Sequence, residues 1–185
     1  MKTVKKRSQK QEKSVAKQFN AMVTIASGAL WGMKADVRND KFLIECKTTE
    51  KEYYTVTAKV WEKIEEEATR DHMRTPILII DVEDRDRLVV FNPKHFNISI
   101  PEPYDCTYNG DNQKSFRVGL YELIDAGNEY GEYIYAKLFV ICGKKKNMLC
   151  YMRYRDFEET FMVNRITKLS EDERTIAFDV REKEE

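Results

Sequence analysis

The chain has 185 residues, and its 32 Lys and Arg balance 32 Asp and Glu, so the formal net charge is zero. That excludes a global basic field, and a nucleic-acid partner would have to be met by local patches. Hydrophobic residues at 42% and charged residues at 35% describe a globular chain long enough for a real core, with charge on the high side. No apolar run is long enough to span a membrane, and the basic N-terminus lacks the apolar stretch of a signal peptide. The expected address is cytoplasmic, with no membrane partner. Cys46, Cys106, Cys142 and Cys150 are scattered, no Cys-x-x-Cys occurs, and only His72 and His95 could join them. A zinc site is therefore not expected, and the cysteines read as reduced core residues.

Met1–Lys13 is strongly basic. Its first residues read as a tail, either solvated or in touch with phosphates. A helix pattern begins near Ser8, a candidate N-cap, with Val15, Ala16 and Phe19 as its apolar stripe. Glu12 is the only acid in this basic stretch. It either balances its lysines on the surface or reaches over the sheet toward Asp36. Ala21–Ile25 reads as a short strand. The small-residue loop from Ala26 to Met33 could bring backbone amides to a phosphate, although it is no Walker loop.

Two extended runs follow, Lys34–Arg38 and Lys41–Thr48, joined by Asn39-Asp40. Both residues tolerate left-handed backbone, so the segment reads as a β-hairpin. In the second run Phe42, Ile44 and Cys46 face one way, and Leu43, Glu45 and Lys47 the other. The hairpin folds Asp36 back near Glu45. Two carboxylates and a lysine held together are costly if buried unless something binds between them. Mg²⁺ takes carboxylate oxygens, keeps several waters and completes its shell with phosphate. A neighbouring lysine can orient or deprotonate the attacking water, or stabilise charge on the phosphate. The other reading of Glu-x-Lys on a strand is a surface ion pair contributing little.

Thr48–Thr55 is polar and rich in hydroxyls. Thr57–Arg70 is an amphipathic helix with Val60, Trp61, Ile64 and Ala68 on one face and Lys59, Glu62, Lys63, Glu66 and Arg70 toward solvent. Pro76 bars its continuation. Ile77–Val82 is a continuous apolar strand suited to a sheet covered on both faces, and Arg87–Phe91 returns after the turn Glu83–Asp86. The first half is thus expected to be α/β, a mixed central β-sheet flanked by helices. Residues 92–112 hold Pro93, Pro101 and Pro103 and read as a boundary or long loop. Beyond it, Lys114–Ala126 suggests a helix, with Phe116, Leu120, Leu123 and Ile124 spaced to share a face. Glu132–Cys142 and Met148–Tyr154 read as strands joined by Gly143–Asn147, whose lysines either reach DNA or keep the tip soluble. Asp156–Arg165 suggests a short helix, Thr175–Val180 a last strand and Arg181–Glu185 a charged tail. The expected division is a core over 1–91 and an α+β C-terminal extension over 92–185 for DNA binding, dimerisation or a partner.

Asp36 followed by Glu45-Cys46-Lys47 on the next strand resembles the PD-(D/E)XK nuclease motif. The run from Ser27 through Gly32-Met33-Lys34-Ala35-Asp36-Val37, then Glu45-Cys46-Lys47-Thr48-Thr49, is similar to small phage-type endonucleases described as Holliday junction resolvase-like. The likeness extends through the helix at Thr57–Arg70 to the strand at Thr75–Val82 and covers about residues 9 to 91. Ala35 stands where that family tends to have glycine. The resemblance implies a restriction-endonuclease-like core in which Asp36 and Glu45 ligate Mg²⁺ or Mn²⁺, with the Cys46 carbonyl as a further oxygen. It gives Lys47 the nucleophilic water and Glu12 an assisting role. It places Lys34, Thr48, Thr49 and Lys51 near the scissile phosphate, where plain surface polarity is the competing reading. The implied activity is metal-dependent endonuclease cleavage of branched or structured DNA, as in recombination. A homodimer is implied, because a four-way junction needs two nicks, and the address would be the host cytoplasm if the chain is phage-encoded. Two further readings stand beside it. One is a non-catalytic nucleic-acid- or protein-binding module on a nuclease fold. The other is a regulatory protein using the tyrosines of the second half, Tyr121, Tyr130, Tyr133, Tyr135, Tyr151 and Tyr154, as an interface.

Overall fold

In the computed structural model, residues 2–24, 35–83, 86–96, 105–107, 113–121, 123 and 136–163 are described. The chain forms two compact units, Met1–Arg153 and Tyr154–Glu185. The first is α/β, built on a mixed sheet that has eight strands among the described residues.

Helix α1 spans Lys2–Gln18 and leads to β1 (Met22–Val23), β2 (Val37–Arg38) and β3 (Phe42–Thr49). β4 (Tyr53–Thr57) precedes helix α2 (Ala58–Arg70), which returns to β5 (Thr75–Val82) and β6 (Asp86–Phe91). A 3-10 turn follows at Pro93–Phe96, then β7 (Asp105–Thr107), β8 (Ser115–Gly119), β9 (Ala136–Cys142) and β10 (Lys146–Arg153). The sheet order is β1-β2-β3-β5-β6-β10-β9-β7, while β4 and β8 pair as a separate two-stranded sheet. β3 and β5 are parallel, with α2 as the crossover between them, as a parallel connection requires. β5–β6, β6–β10 and β10–β9 are antiparallel.

The apolar character of β5 has the expected cause. Ile77, Leu78, Ile79 and Ile80 are all fully buried, since each face of the sheet is covered. On one face Leu43, Leu78, Ile80, Leu88, Val90 and Tyr151 pack with Trp61 and Ile64 of α2 and with Val56, Phe116 and Val118 of the small sheet. On the other, Val15 and Phe19 of α1 are buried, and the rings of Phe19, Phe42, Phe96 and Phe91 form a chain of contacts 5.0–6.2 Å between centroids.

Several expectations are corrected. α1 starts well before Ser8, because lysine and arginine are good helix formers. Ser8 is no N-cap; its hydroxyl donates to Glu12 Oε1 at 2.9 Å, one turn along. The Asn39-Asp40 turn uses no left-handed backbone, and Asn20, His72, Met73 and Glu83 are the described non-glycine residues at positive φ. Instead Asn39 Oδ1 accepts the Lys41 and Phe42 amides at 2.9 and 2.8 Å, a side-chain turn. The polar run after Thr49 contains a strand, β4, and the helix read over Lys114–Ala126 starts as β8, with Phe116 and Val118 pointing inward. The sheet also crosses the division expected at 91/92, since Cys150 of β10 lies opposite Phe91 and Arg153 opposite Leu88.

The hairpin tip Gly143–Lys145 turns β9 into β10 and meets α2. The Lys144 amide donates to Glu62 Oε1, Lys144 Nζ lies 2.9 Å from Glu66 Oε1, and Lys145 Nζ lies 2.9 Å from Glu65 Oε2. These lysines therefore have acidic partners within the chain. Tyr151 is part of the core, edge-on to Phe139 and tilted against Phe116, whereas Tyr121 is exposed; Tyr130, Tyr133 and Tyr135 lie outside the described residues, as do the expected strand Thr175–Val180 and the tail.

In the second unit, a helical turn at Tyr154–Phe157 continues as a π-helix over Glu158–Val163. Tyr154 donates to Glu158 Oε1 at 3.0 Å, and the Phe157 and Phe161 rings are 4.9 Å apart. Among the described residues, no helix is long and apolar enough to cross a membrane.

Candidate functional site

The site forms where β2 leaves β3. The two strands pair only at Val37↔Ile44 and Arg38↔Leu43. The next outward-pointing amide of β3, that of Cys46, finds no strand partner there and donates to Asp36 Oδ2 at 2.9 Å. A strand residue directs its amide and carbonyl to the same side, so the Cys46 carbonyl faces the same edge. The Cys46 side chain turns inward and is buried. Burial, and then the Asp36 and Glu12 charges, keep its thiol well above the usual range. The thiol is thus a protonated core group, and any ligand role at this position falls to the backbone.

Glu45 and Lys47 share the face of Leu43, in register with Leu78 and Ile80 of β5. Glu45 is buried, and Lys47 Nζ donates to its Oε1 at 2.8 Å. From α2, Lys63 Nζ lies 3.9 Å from Glu45 Oε1 and 3.8 Å from Glu67 Oε1, bridging two buried carboxylates. α2 is aimed by Thr57, whose hydroxyl caps it by accepting the Val60 amide at 3.3 Å.

Burial first, then the Glu45 charge and to a smaller extent that of Glu12, raise the Asp36 carboxyl to about 6, against the opposing Cys46 amide and Lys47 charge. Burial by itself would lower the Lys47 ammonium, but its hydrogen bond to Glu45 and the charges of Glu45 and Asp36 hold it above the usual lysine value. Lys47 is therefore a firm cation, suited to donating and to stabilising negative charge and poorly suited to accepting a proton. Tyr54 faces the same pair: burial raises its phenol, Lys47 pulls it down and Glu45 pushes it up.

Asp36, Glu45, Lys47 and, at the margin, Glu12 are thus brought within reach of one another's charge. Glu12 approaches from α1 on the other face of the sheet, beside Gln11, whose Nε2 donates to the Lys47 carbonyl at 2.8 Å. Thr49 and Lys51 serve the turn into β4: Thr49 Oγ1 accepts the Lys51 amide at 3.1 Å, and Lys51 lies over the Tyr53 ring. Thr48 is half-buried on the α1 face, opposite Asp81. Lys34 lies outside the described residues. Sequence reasoning missed Lys63, Tyr54 and Gln11. The first was legible in part, as the i,i+4 partner of Glu67 on a helix that follows the motif.

Asp36, whose proton affinity is raised by burial and by the Glu45 charge, forms with Glu45 a donor pair that a hard divalent cation relieves. Among the described residues, no three His, Cys, Asp or Glu side chains converge as a metal cluster. A cation here would rest on Asp36, Glu45, a backbone carbonyl and water, a donor set compatible with Mg²⁺. In comparison with known proteins, no family model and no curated protein matches the chain.

Proposed function

We propose that the protein is a metal-dependent endodeoxyribonuclease with a restriction-endonuclease-like core, acting on branched or structured DNA. The observation that carries this reading is the edge of β3, where the mutually repelling Asp36 and Glu45 carboxylates lie beside the Lys47 ammonium and the edge-facing Cys46 carbonyl. Asp36, Glu45 and the Cys46 carbonyl would hold Mg²⁺ or Mn²⁺. When bound, the cation supplies Lewis-acid stabilisation of charge developing on phosphate and a more acidic water. Lys47, cationic at neutral pH, donates toward the attacked phosphate and positions water; it does not remove the proton. Lys63 offsets part of the Glu45 charge from α2, and Glu12 adds negative potential at Asp36. Because a four-way junction needs two nicks, the acting form would be a symmetric dimer.

The test is Mg²⁺-dependent cleavage of a four-way junction and of a linear duplex. Asp36→Asn, Glu45→Gln and Lys47→Ala should each reduce cleavage by about 100-fold or more, as loss of a charge-stabilising group does. Full cleavage by all three variants would remove the assignment.

A non-catalytic binding module on the same fold is the second reading, favoured by the Lys47–Glu45 ion pair at 2.8 Å, which satisfies the lysine internally. Nucleic-acid binding with neither cation uptake nor cleavage would select it.

A further inference from the structure

On α1, Lys6, Lys10, Lys13 and Lys17 recur at intervals of four, three and four residues. At 3.6 residues per turn they form one stripe, spanning about 16 Å of helix. All four are exposed, while Gln11, Val15 and Ala16 turn toward the sheet and are buried. None of the four ammonium groups has a hydrogen-bond or ion-pair partner among the described residues. Several basic side chains elsewhere are matched with acids: Lys47 and Lys63 with Glu45, Arg87 with Asp81, Lys144 with Glu66 and Lys145 with Glu65. The first turn of α1 carries no acid to offset its positive end. In a chain of zero net charge, α1 therefore concentrates positive charge that the fold leaves uncompensated, and like charges one turn apart repel.

The chemistry that relieves such a stripe is a row of anions. The apolar residues of α1 are spent on the core, so the helix offers no greasy face to a membrane. The same helix reaches the candidate site from its inner side, through the Gln11 bond to the Lys47 carbonyl and the effect of Glu12 on Asp36. We propose that Lys6, Lys10, Lys13 and Lys17 form a track for the phosphate backbone of duplex DNA, gripping it without reading sequence. Its role in delivering the duplex to Asp36 and Glu45 rests on the nuclease reading; the binding itself does not.

The experiment uses the full chain in EDTA, with fluorescence anisotropy of short labelled duplexes of unrelated sequence titrated across salt concentrations. The variant Lys6→Gln/Lys10→Gln/Lys13→Gln/Lys17→Gln should lose affinity equally for every sequence. The slope of log affinity against log salt should fall by up to about 3.6, at about 0.9 per phosphate contact. Its melting temperature reports that it is folded, and Lys144→Gln/Lys145→Gln should leave the slope unchanged. An unaltered slope in the folded quadruple variant overturns the proposal. So does lysine-dependent binding to phosphatidylserine vesicles without binding to duplex. Since no metal is present, the outcome is independent of whether the protein cleaves DNA.

Discussion

The Asp36 carboxylate accepts the Cys46 amide at 2.9 Å, at the point where β2 stops pairing with β3. One oxygen of Asp36 therefore replaces a missing strand, and the acid is fixed at the sheet edge by the backbone it completes. This ties the position of one candidate ligand to the local fold, and the cost of its charge can be measured.

Asp36 rises from 3.8 to about 6 on folding, through burial first and the Glu45 charge second. The folded protein holds this proton more tightly than the unfolded chain, so the contribution of Asp36 is fully present below about pH 4 and is lost as pH rises through about 6. Asp36→Asn removes the charge and keeps an acceptor for Cys46. In metal-free buffer above neutral pH it should melt higher than wild type, and the gap should close toward pH 4. The shift is nominally about 3 kcal/mol. Partial exposure cuts it to about 1 kcal/mol, or roughly 2–4 °C for a chain of this size. A gap independent of pH in thermal melts would refute the electrostatic account.

Lys63 competes with any bound cation for Glu45. Lys63→Gln should therefore tighten Mn²⁺ binding by about tenfold, the effect of removing one positive charge some 6 Å from a divalent cation in a watery environment. Calorimetric titration reads this directly. Weaker Mn²⁺ binding in the variant would show that Lys63 is needed to hold Glu45 in place.

Gly143 lets the β9–β10 tip close on α2. A Cβ there would collide with the Glu62 carboxylate and stand 2.9 Å from the Ala58 Cβ. Gly143→Ala should cost about 1–3 kcal/mol by overpacking. Adding Glu62→Ala should recover only part, because Ala58 cannot move aside as a flexible side chain can. Denaturant melts of the two variants test this, and complete recovery would contradict it.

At the end of α2, His72 and Met73 both have left-handed backbone, with φ of 57° and 58°. His72 is exposed, so its side chain contributes little packing. His72→Gly should stabilise the fold by about 1 kcal/mol, since glycine adopts this conformation without the Cβ penalty. Chemical denaturation should show a higher midpoint at unchanged slope.

The elements with strong periodicity were legible in the chain. The alternation along Phe42–Thr49 placed Glu45 and Lys47 on one face, and the apolar stripe of Trp61, Ile64 and Ala68 marked α2. The continuous apolar run at Ile77–Val82 marked a strand covered on both sides. β8 was misread because Phe116, Leu120 and Leu123 fit a helical spacing as well as Phe116 and Val118 fit a strand, and its partner β4 looked like a polar loop. Only tertiary pairing decides between them. The Lys63 bridge was hidden for another reason: a lysine beside glutamates on a helix usually faces water, and here the carboxylates of Glu45 and Glu67 are buried.

The antiparallel pairing of β10 with β6 matters to anyone who would cut the protein down. A fragment ending at Phe91 would leave Leu88–Phe91, buried on both faces in the intact chain, as a bare edge strand with a row of unpaired amides and carbonyls. Such an edge templates pairing between molecules and drives precipitation. The half that carries Asp36 and Glu45 is thus no portable cassette, and the smallest unit worth expressing runs through Arg153.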